Sequence, residues 1–272
     1  MIRREDEGGF LLITQHDHAL ISGELAEQYG NEYFATPTPL ESVLKGIRLH
    51  DCGWPLHDDQ PTRNKEGLPL DVFETPPEIA LKVWTAGVER ATAEDKYAGL
   101  LVSLHVLNLS VFASTLIGFE EKPNQFAVAK FQQREIERQE KLRLTLGLRT
   151  EKPMHHGGPQ ETAQKPEDQL NFNIRLLQAM DVISLAACCT KPPSKQTQDV
   201  FPAPGAAPIR LNLARQGRDV IVDPWPFGPA QIDLMIPVCR IEKKIFESDE
   251  ELRAAANGGS AEVLTCRVLP AH

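Results

Sequence analysis

Residues 40–53 read Leu40-Glu41-Ser42-Val43-Leu44-Lys45-Gly46-Ile47-Arg48-Leu49-His50-Asp51-Cys52-Gly53. Leu40, Val43, Leu44 and Ile47 recur at helical spacing and so share one face. Thr38-Pro39-Leu40-Glu41, just ahead of that face, carries a capping-box signature with proline at the first helical position. The apolar stripe runs on to His50 and Asp51, and Gly53 and Pro55 then stop the helix. An imidazole and a carboxylate thus close a core-facing stripe. This stretch sets the expectation of amphipathic helices that turn polar groups inward.

The same pattern extends in both directions. Gly9 to Thr14 is a short strand candidate, followed by a helix from Asp17 to about Tyr29 that Gly30 ends. Residues 54–75 carry Asp58, Asp59, Pro61, Asn64, Gly67 and Pro69, which predict a long polar loop. Thr75-Pro76-Pro77-Glu78 repeats the capping signature ahead of a helix to about Glu94. Tyr97 to Leu116 is apolar on nearly every side and predicts a buried helix, with Ser103, His105 and Asn108 as its polar members. Residues 124–146 suit a long solvated helix, and 147–166 a loop that includes His155-His156. A further helix spans about Asp168 to Cys189.

The character changes after Lys191-Pro192-Pro193, because Pro202, Pro204 and Pro208 exclude a helix. Ile209 to Leu213 alternates as a strand does, Asp219 to Val222 is a second strand, and Gln231 to Phe246 holds one or two more. A short helix from Ser248 and a final strand from Glu262 to Leu269 complete the chain. The expected fold is α+β: a mostly helical bundle over residues 1–190, with a small C-terminal antiparallel β-sheet subdomain over residues 191–272 packed on it.

Composition narrows the function. The chain has 272 residues with 41% hydrophobic and 25% charged, ordinary for a globular protein with its own core. A net charge of −9 argues against general nucleic-acid or anionic-membrane binding, since both need a basic surface. No apolar run reaches the roughly 18 residues of a membrane helix. The charged start, Met1 to Glu7, does not read as a signal peptide. Five cysteines without a CxxC pair suggest neither a disulfide framework nor a cysteine zinc site, and a reducing cytoplasm is the expected address.

The chemistry lies in the polar residues on buried faces. Leu170, Ile174, Leu177, Asp181, Ser184, Leu185 and Cys188 form one stripe with Asp181 in its middle. A lone buried carboxylate costs several kcal/mol, so Asp181 must be protonated, paired with a cation or bound to a metal. His50-Asp51 and His105 pose the same question on two other helices, and His18 offers a fourth group, with His16 as its rival. Imidazole nitrogen with carboxylate oxygen suits Mn, Fe, Ni, Co or Zn better than calcium. The competing arrangement is a buried His–Asp pair, with Asp181 bonded to a backbone donor or an arginine. His105 stands open between a hydrogen-bonded core residue and a ligand or phosphate contact.

At these residues the sequence resembles the HD superfamily of metal-dependent phosphohydrolases. The likeness is carried by His18 in Asp17-His18-Ala19-Leu20, by His50-Asp51 with Gly53 two places on, and by Asp181 in Ala179-Met180-Asp181-Val182-Ile183-Ser184. More closely the chain resembles the uncharacterised bacterial DUF3891 family of HD-like proteins. Leu12-Ile13-Thr14-Gln15, His50-Asp51-Cys52-Gly53-Trp54, Leu101-Val102-Ser103-Leu104-His105 and Asp223-Pro224-Trp225-Pro226-Phe227 carry that likeness. The resemblance implies an HD-like helical bundle and a divalent ion held by His18, His50, Asp51 and Asp181, with His105 where many members place a histidine for a second ion or for phosphate. His105 and Asp51 would be the catalytic residues, and the substrate a small phosphate ester or nucleotide. Trp54 stands where HD enzymes commonly place a lysine or arginine. Two other classes fit the pattern: a non-catalytic ligand-binding or regulatory module on the same scaffold, and an HD-like diiron oxygenase drawing on His57 and His105.

Overall fold

The structure, a computed structural model, describes residues 1–113, 121–148, 166–190 and 197–271. Strands β1 (Ile2–Asp6) and β2 (Gly9–Ile13) lead into helix α1 (Gln15–Glu27). Helices α2 (Leu40–Arg48), α3 (Pro55–Asp58), α4 (Pro77–Glu94), α5 (Lys96–Ala113), α6 (Lys122–Thr145) and α7 (Pro166–Cys188) follow. The chain then forms β3 (Thr197–Val200), β4 (Ile209–Gln216), β5 (Asp219–Asp223), β6 (Ile232–Ile241), α8 (Asp249–Asn257) and β7 (Ser260–Pro270). The His155-His156 pair and Lys191-Pro192-Pro193 lie outside the described residues.

The expected mostly helical bundle with a small C-terminal antiparallel sheet is not what forms. The sheet has seven strands in the order β1-β2-β6-β7-β5-β4-β3, and it is mixed, because β5 and β7 run parallel. It recruits the N-terminus: β2 pairs antiparallel with β6, Phe10 against Ile241 and Leu12 against Cys239. Two strands were hidden in the sequence. β1 reads Ile-Arg-Arg-Glu-Asp, which looks solvated, yet Ile2 and Arg4 both turn inward. β3 is four residues long and lies just before a proline-rich stretch.

β2 explains how the sheet is fixed to the helices. All five of its residues are buried, so it lacks the alternation of a half-exposed strand and reads as a continuous apolar run. Leu11 and Ile13 join the main core with Ile21 and Leu25 of α1 and Leu177 and Met180 of α7. Phe10 and Leu12 face the other way, into a second cluster with Ile241, Phe246 and Leu252. Each such side chain contributes about 1.5–3 kcal/mol on leaving water, so the two-sided burial of β2 outweighs the charged, weakly apolar β1 beside it. Gly9 is required at the start of β2, since a Cβ there would lie 1.8 Å from the Ile241 carbonyl oxygen.

Helix α1 starts directly after β2. The Thr14 side chain caps it, accepting from the Asp17 backbone N–H. Helix α7 is buried along most of its length and ends against the sheet. There the Arg4 guanidinium donates to the carbonyl oxygens of Ala187 (2.9 Å) and Cys188 (3.1 Å), and Arg215 donates to those of Cys189 and Thr190. Two cations thus satisfy the unpaired carbonyls and the negative dipole end of α7. Leu49, Trp54, Val83, Trp84, Val102 and Phe131 form a further core where α2, α4, α5 and α6 meet.

Neither expected capping box forms. α2 and α4 are preceded by Pro39 and Pro76 with no side-chain cap, and the capping box belongs instead to Asp71 and Glu74 around the 3-10 turn Val72–Glu74. The loop at 54–75 is also less polar in effect than its composition suggests. It contains α3, and His57 and Asp58 are buried. Asp58 Oδ2 accepts the Gln15 backbone N–H at 2.7 Å and so fixes the start of α1. Among the described residues no helix is long and apolar enough to cross a membrane.

Candidate metal centre

Four segments deliver one polar side chain or pair each to a common buried point. α1 supplies His18, the turn after α2 supplies His50 and Asp51, α5 supplies His105 and α7 supplies Asp181. The turn is tight because the Cys52 N–H bonds to the Leu49 carbonyl and the Trp54 N–H to the Asp51 carbonyl. Gly53 lies against α4, where a Cβ would meet the Val83 carbonyl oxygen at 2.0 Å. The glycine therefore lets the His-Asp turn sit directly on the α4 backbone.

All three imidazoles point Nε2 at the two carboxylates. His18 Nε2 is 2.9 Å from Asp181 Oδ1 and 3.9 Å from Asp51 Oδ2. His50 Nε2 is 3.5 Å from Asp51 Oδ2 and 3.7 Å from Asp181 Oδ1, and His105 Nε2 is 3.7 Å from Asp181 Oδ2. Two triads, His18-His50-Asp51 and His50-His105-Asp181, each keep their ligand atoms within 4.8 Å of one another. Atoms about 2.0–2.2 Å from one ion lie roughly 2.9–3.6 Å apart at neighbouring coordination positions, so these spacings suit a shared cation. The separations around His50 Nε2 are too long for direct hydrogen bonds. That nitrogen is buried without a partner, while Nδ1 donates to the Ile47 carbonyl at 2.7 Å. With its outward N–H fixed, the ring turns Nε2 inward, as a ligating histidine does once that nitrogen has given up its proton.

The electrostatics agree. Burial pulls the His50 imidazolium down, but Asp51 and Asp181 push it up further, to about 9. The carboxylates therefore demand positive charge at this nitrogen. Burial alone would raise Asp181, yet His18, His50 and His105 hold it well below the usual carboxylate range. Burial raises Asp51, and His50 and His18 offset that only in part. Burial lowers His105 to about 4, so it is neutral near pH 7.

The outer contacts are specific as well. The Trp54 indole N–H donates to Asp51 Oδ1 at 3.1 Å, leaving Oδ2 to face the histidines. His18 Nδ1 meets the Ser184 hydroxyl, and Ser22 and Ser184 lie within 3.0 Å of each other. All four candidate ligands expected from the sequence, His18, His50, Asp51 and Asp181, lie in the cluster together with His105. His16 is half-buried on α1 and takes no part in either triad. His57 is buried against the Trp54 ring, 6.3 Å between centroids, and stands outside both triads. Sequence reasoning assigned no role to Ser22 or Ser184. The available signal was Ser184 three residues after Asp181 on the same helical face.

Residues 1–243 match the family model described as "Protein of unknown function (DUF3891)". No match was found among curated proteins or among solved structures.

Proposed function

The chain belongs to the DUF3891 family, and we propose that it is a metal-dependent hydrolase acting on a small phosphate ester or nucleotide, with the HD-superfamily ligand order His18, His50-Asp51, Asp181. The observation that supports this is the convergence of three Nε2 atoms on two buried carboxylates, with His50 Nε2 left unpartnered. One ion suits the cluster, because the two triads share His50 and only one nitrogen of that ring is free. Mn, Fe, Ni, Co and Zn all accept this mixture of nitrogen and oxygen donors. A divalent ion held there would supply an activated water near neutral pH and a positive charge for a phosphoryl oxygen.

The chain's own residues divide the remaining work. Asp51 and Asp181 set the charge, and the Ile47 carbonyl and Trp54 orient His50 and Asp51. His105 differs from its neighbours because its Nδ1 is buried with no partner and its ring stays neutral. It is therefore the group free to hold a phosphoryl oxygen or carry a proton, and we assign it that part. The experiment is elemental analysis of protein purified without chelators, followed by a panel of phosphate esters. Bound metal with turnover supports the reading, and metal-free, inactive protein rejects it. Trp54 favours a second reading, a non-catalytic binding module. Its N–H is spent on Asp51, at a position where a basic side chain would have met a phosphate. Stoichiometric metal with no turnover on any ester supports that module.

A further inference from the structure

A histidine that ligates through Nε2 needs its proton held on Nδ1. His50 has a backbone carbonyl for this, a pure acceptor. His18 has none. Its Nδ1 meets Ser184 Oγ, and that oxygen sits in a small hydroxyl group wholly inside the protein. Ser184 Oγ is 3.2 Å from the His18 carbonyl oxygen, Ser22 Oγ is 3.1 Å from the same carbonyl, and the two hydroxyls are 3.0 Å apart. His18, Ser22 and Ser184 are all fully buried.

A hydroxyl, unlike a carbonyl, both donates and accepts. One set of heavy-atom positions therefore serves two proton arrangements. In the first, Ser184 donates to Nδ1 and the ring proton lies on Nε2, facing Asp181 Oδ1 at 2.9 Å. In the second, Nδ1–H donates to Ser184 Oγ, the Ser184 hydroxyl turns to the His18 carbonyl, and Nε2 presents its lone pair inward. The two arrangements hold the same number of protons, because the one lost from Nε2 to water is matched by one that Nδ1 takes up from water. Ser22 donates to the His18 carbonyl or to Ser184 Oγ in either case, so no buried proton lacks an acceptor.

We propose that Ser184, backed by Ser22, is the positioning residue that holds His18 in its ligating tautomer when a cation enters: the cation displaces the Nε2 proton to water, Nδ1 takes up a proton from water, and the Ser184 hydroxyl turns to the His18 carbonyl so that its oxygen accepts from Nδ1–H. This rests on the metal reading above. The test uses full-length protein and Zn2+ as the probe. Affinity is measured by competition with a chromophoric chelator, and the histidine ring nitrogens are followed by 15N NMR. Ser184→Ala should weaken Zn2+ binding about 10–100-fold, the usual loss for an outer partner of a ligating histidine. Its helical circular dichroism should be unchanged. Ser22→Ala should lose less, because Ser184 still accepts from Nδ1 and still reaches the His18 carbonyl. Zn2+-loaded wild type should show His18 protonated at Nδ1. Equal Zn2+ affinity of Ser184→Ala and wild type, or a loaded His18 protonated at Nε2, would overturn the proposal while leaving the metal site standing. Wild type that binds no Zn2+ would end both.

Discussion

His18 Nε2 and Asp181 Oδ1 lie 2.9 Å apart across 163 residues of chain. His18 is fully buried and Asp181 is 8% exposed, so the contact links α1 to α7 through groups that water screens only weakly. The fold holds both ends firmly. Thr14 and Asp58 fix the start of α1, and Arg4 and Arg215 fix the end of α7.

Asp181→Asn keeps the shape and removes the charge that faces three imidazoles. We expect protein that retains its helical circular dichroism but carries no stoichiometric metal and has lost activity. Asp181→Asn protein with wild-type metal content would remove the centre from consideration.

Stability should follow pH with a defined maximum once metal is stripped. His50 stands at about 9 in the fold against an ordinary 6.5. Its contribution is therefore complete below about 6.5 and is lost as pH rises toward 9. His105 stands at about 4, so falling pH between 6.5 and 4 favours the unfolded chain, which takes up the proton first. Chelator-treated protein should melt highest near pH 6.5. Added metal should stabilise it more at pH 8 than at pH 6, because the His50 proton must leave. Thermal scans across pH 4–9 check this, and a melting point of stripped protein still climbing from 6.5 to 9 contradicts it.

Trp54→Phe preserves an aromatic ring and deletes the N–H bonded to Asp51 Oδ1. Metal affinity should fall about tenfold, with a small change in melting temperature. If Trp54 served packing alone, melting would drop and affinity would hold.

Arg4→Met keeps the apolar stem and strips the α7 carbonyls of a donor. A loss of about 2 kcal/mol follows from unsatisfied buried acceptors, or about 4–8 °C in melting temperature for a chain of this size. Calorimetry would show it, and an unchanged melting point would mean that Arg215 and water suffice.

The thiols should be slow to react. Burial pushes Cys52 and Cys266 up to about 11 and Cys189 to about 12, and Cys188 well above its ordinary range. A maleimide at pH 7 should label Cys239, the one thiol that is only half-buried, before the other four. Early labelling of Cys188 in native protein would contradict this burial.

The site was more legible in the sequence than the sheet. Asp181 and His50 interrupt apolar stripes, and a buried charge announces itself because burial is costly without a partner. His105 stood out for the same reason inside α5. His18 was separable from His16 only in space, since both lie in the first turn of α1. The sheet was misjudged because pairing partners are not encoded locally. β1 carries four charged residues out of five. Arg4 is buried only because the end of α7, more than 180 residues away, offers carbonyl acceptors. The expected caps at Thr38 and Thr75 failed because the helices begin two residues later, after Pro39 and Pro76.

The pairing of β2 with β6 also has a consequence for biosynthesis. At ribosomal speeds of about 5–20 residues per second, Gly9–Ile13 waits roughly 10–45 s for residues 232–241 to be made. During that interval a strand apolar on both sides has one neighbour, the short and charged β1, and an open edge. The nascent chain is thus most prone to aggregate before residues 232–241 emerge, and chaperone demand should track that delay rather than the stability of the finished fold.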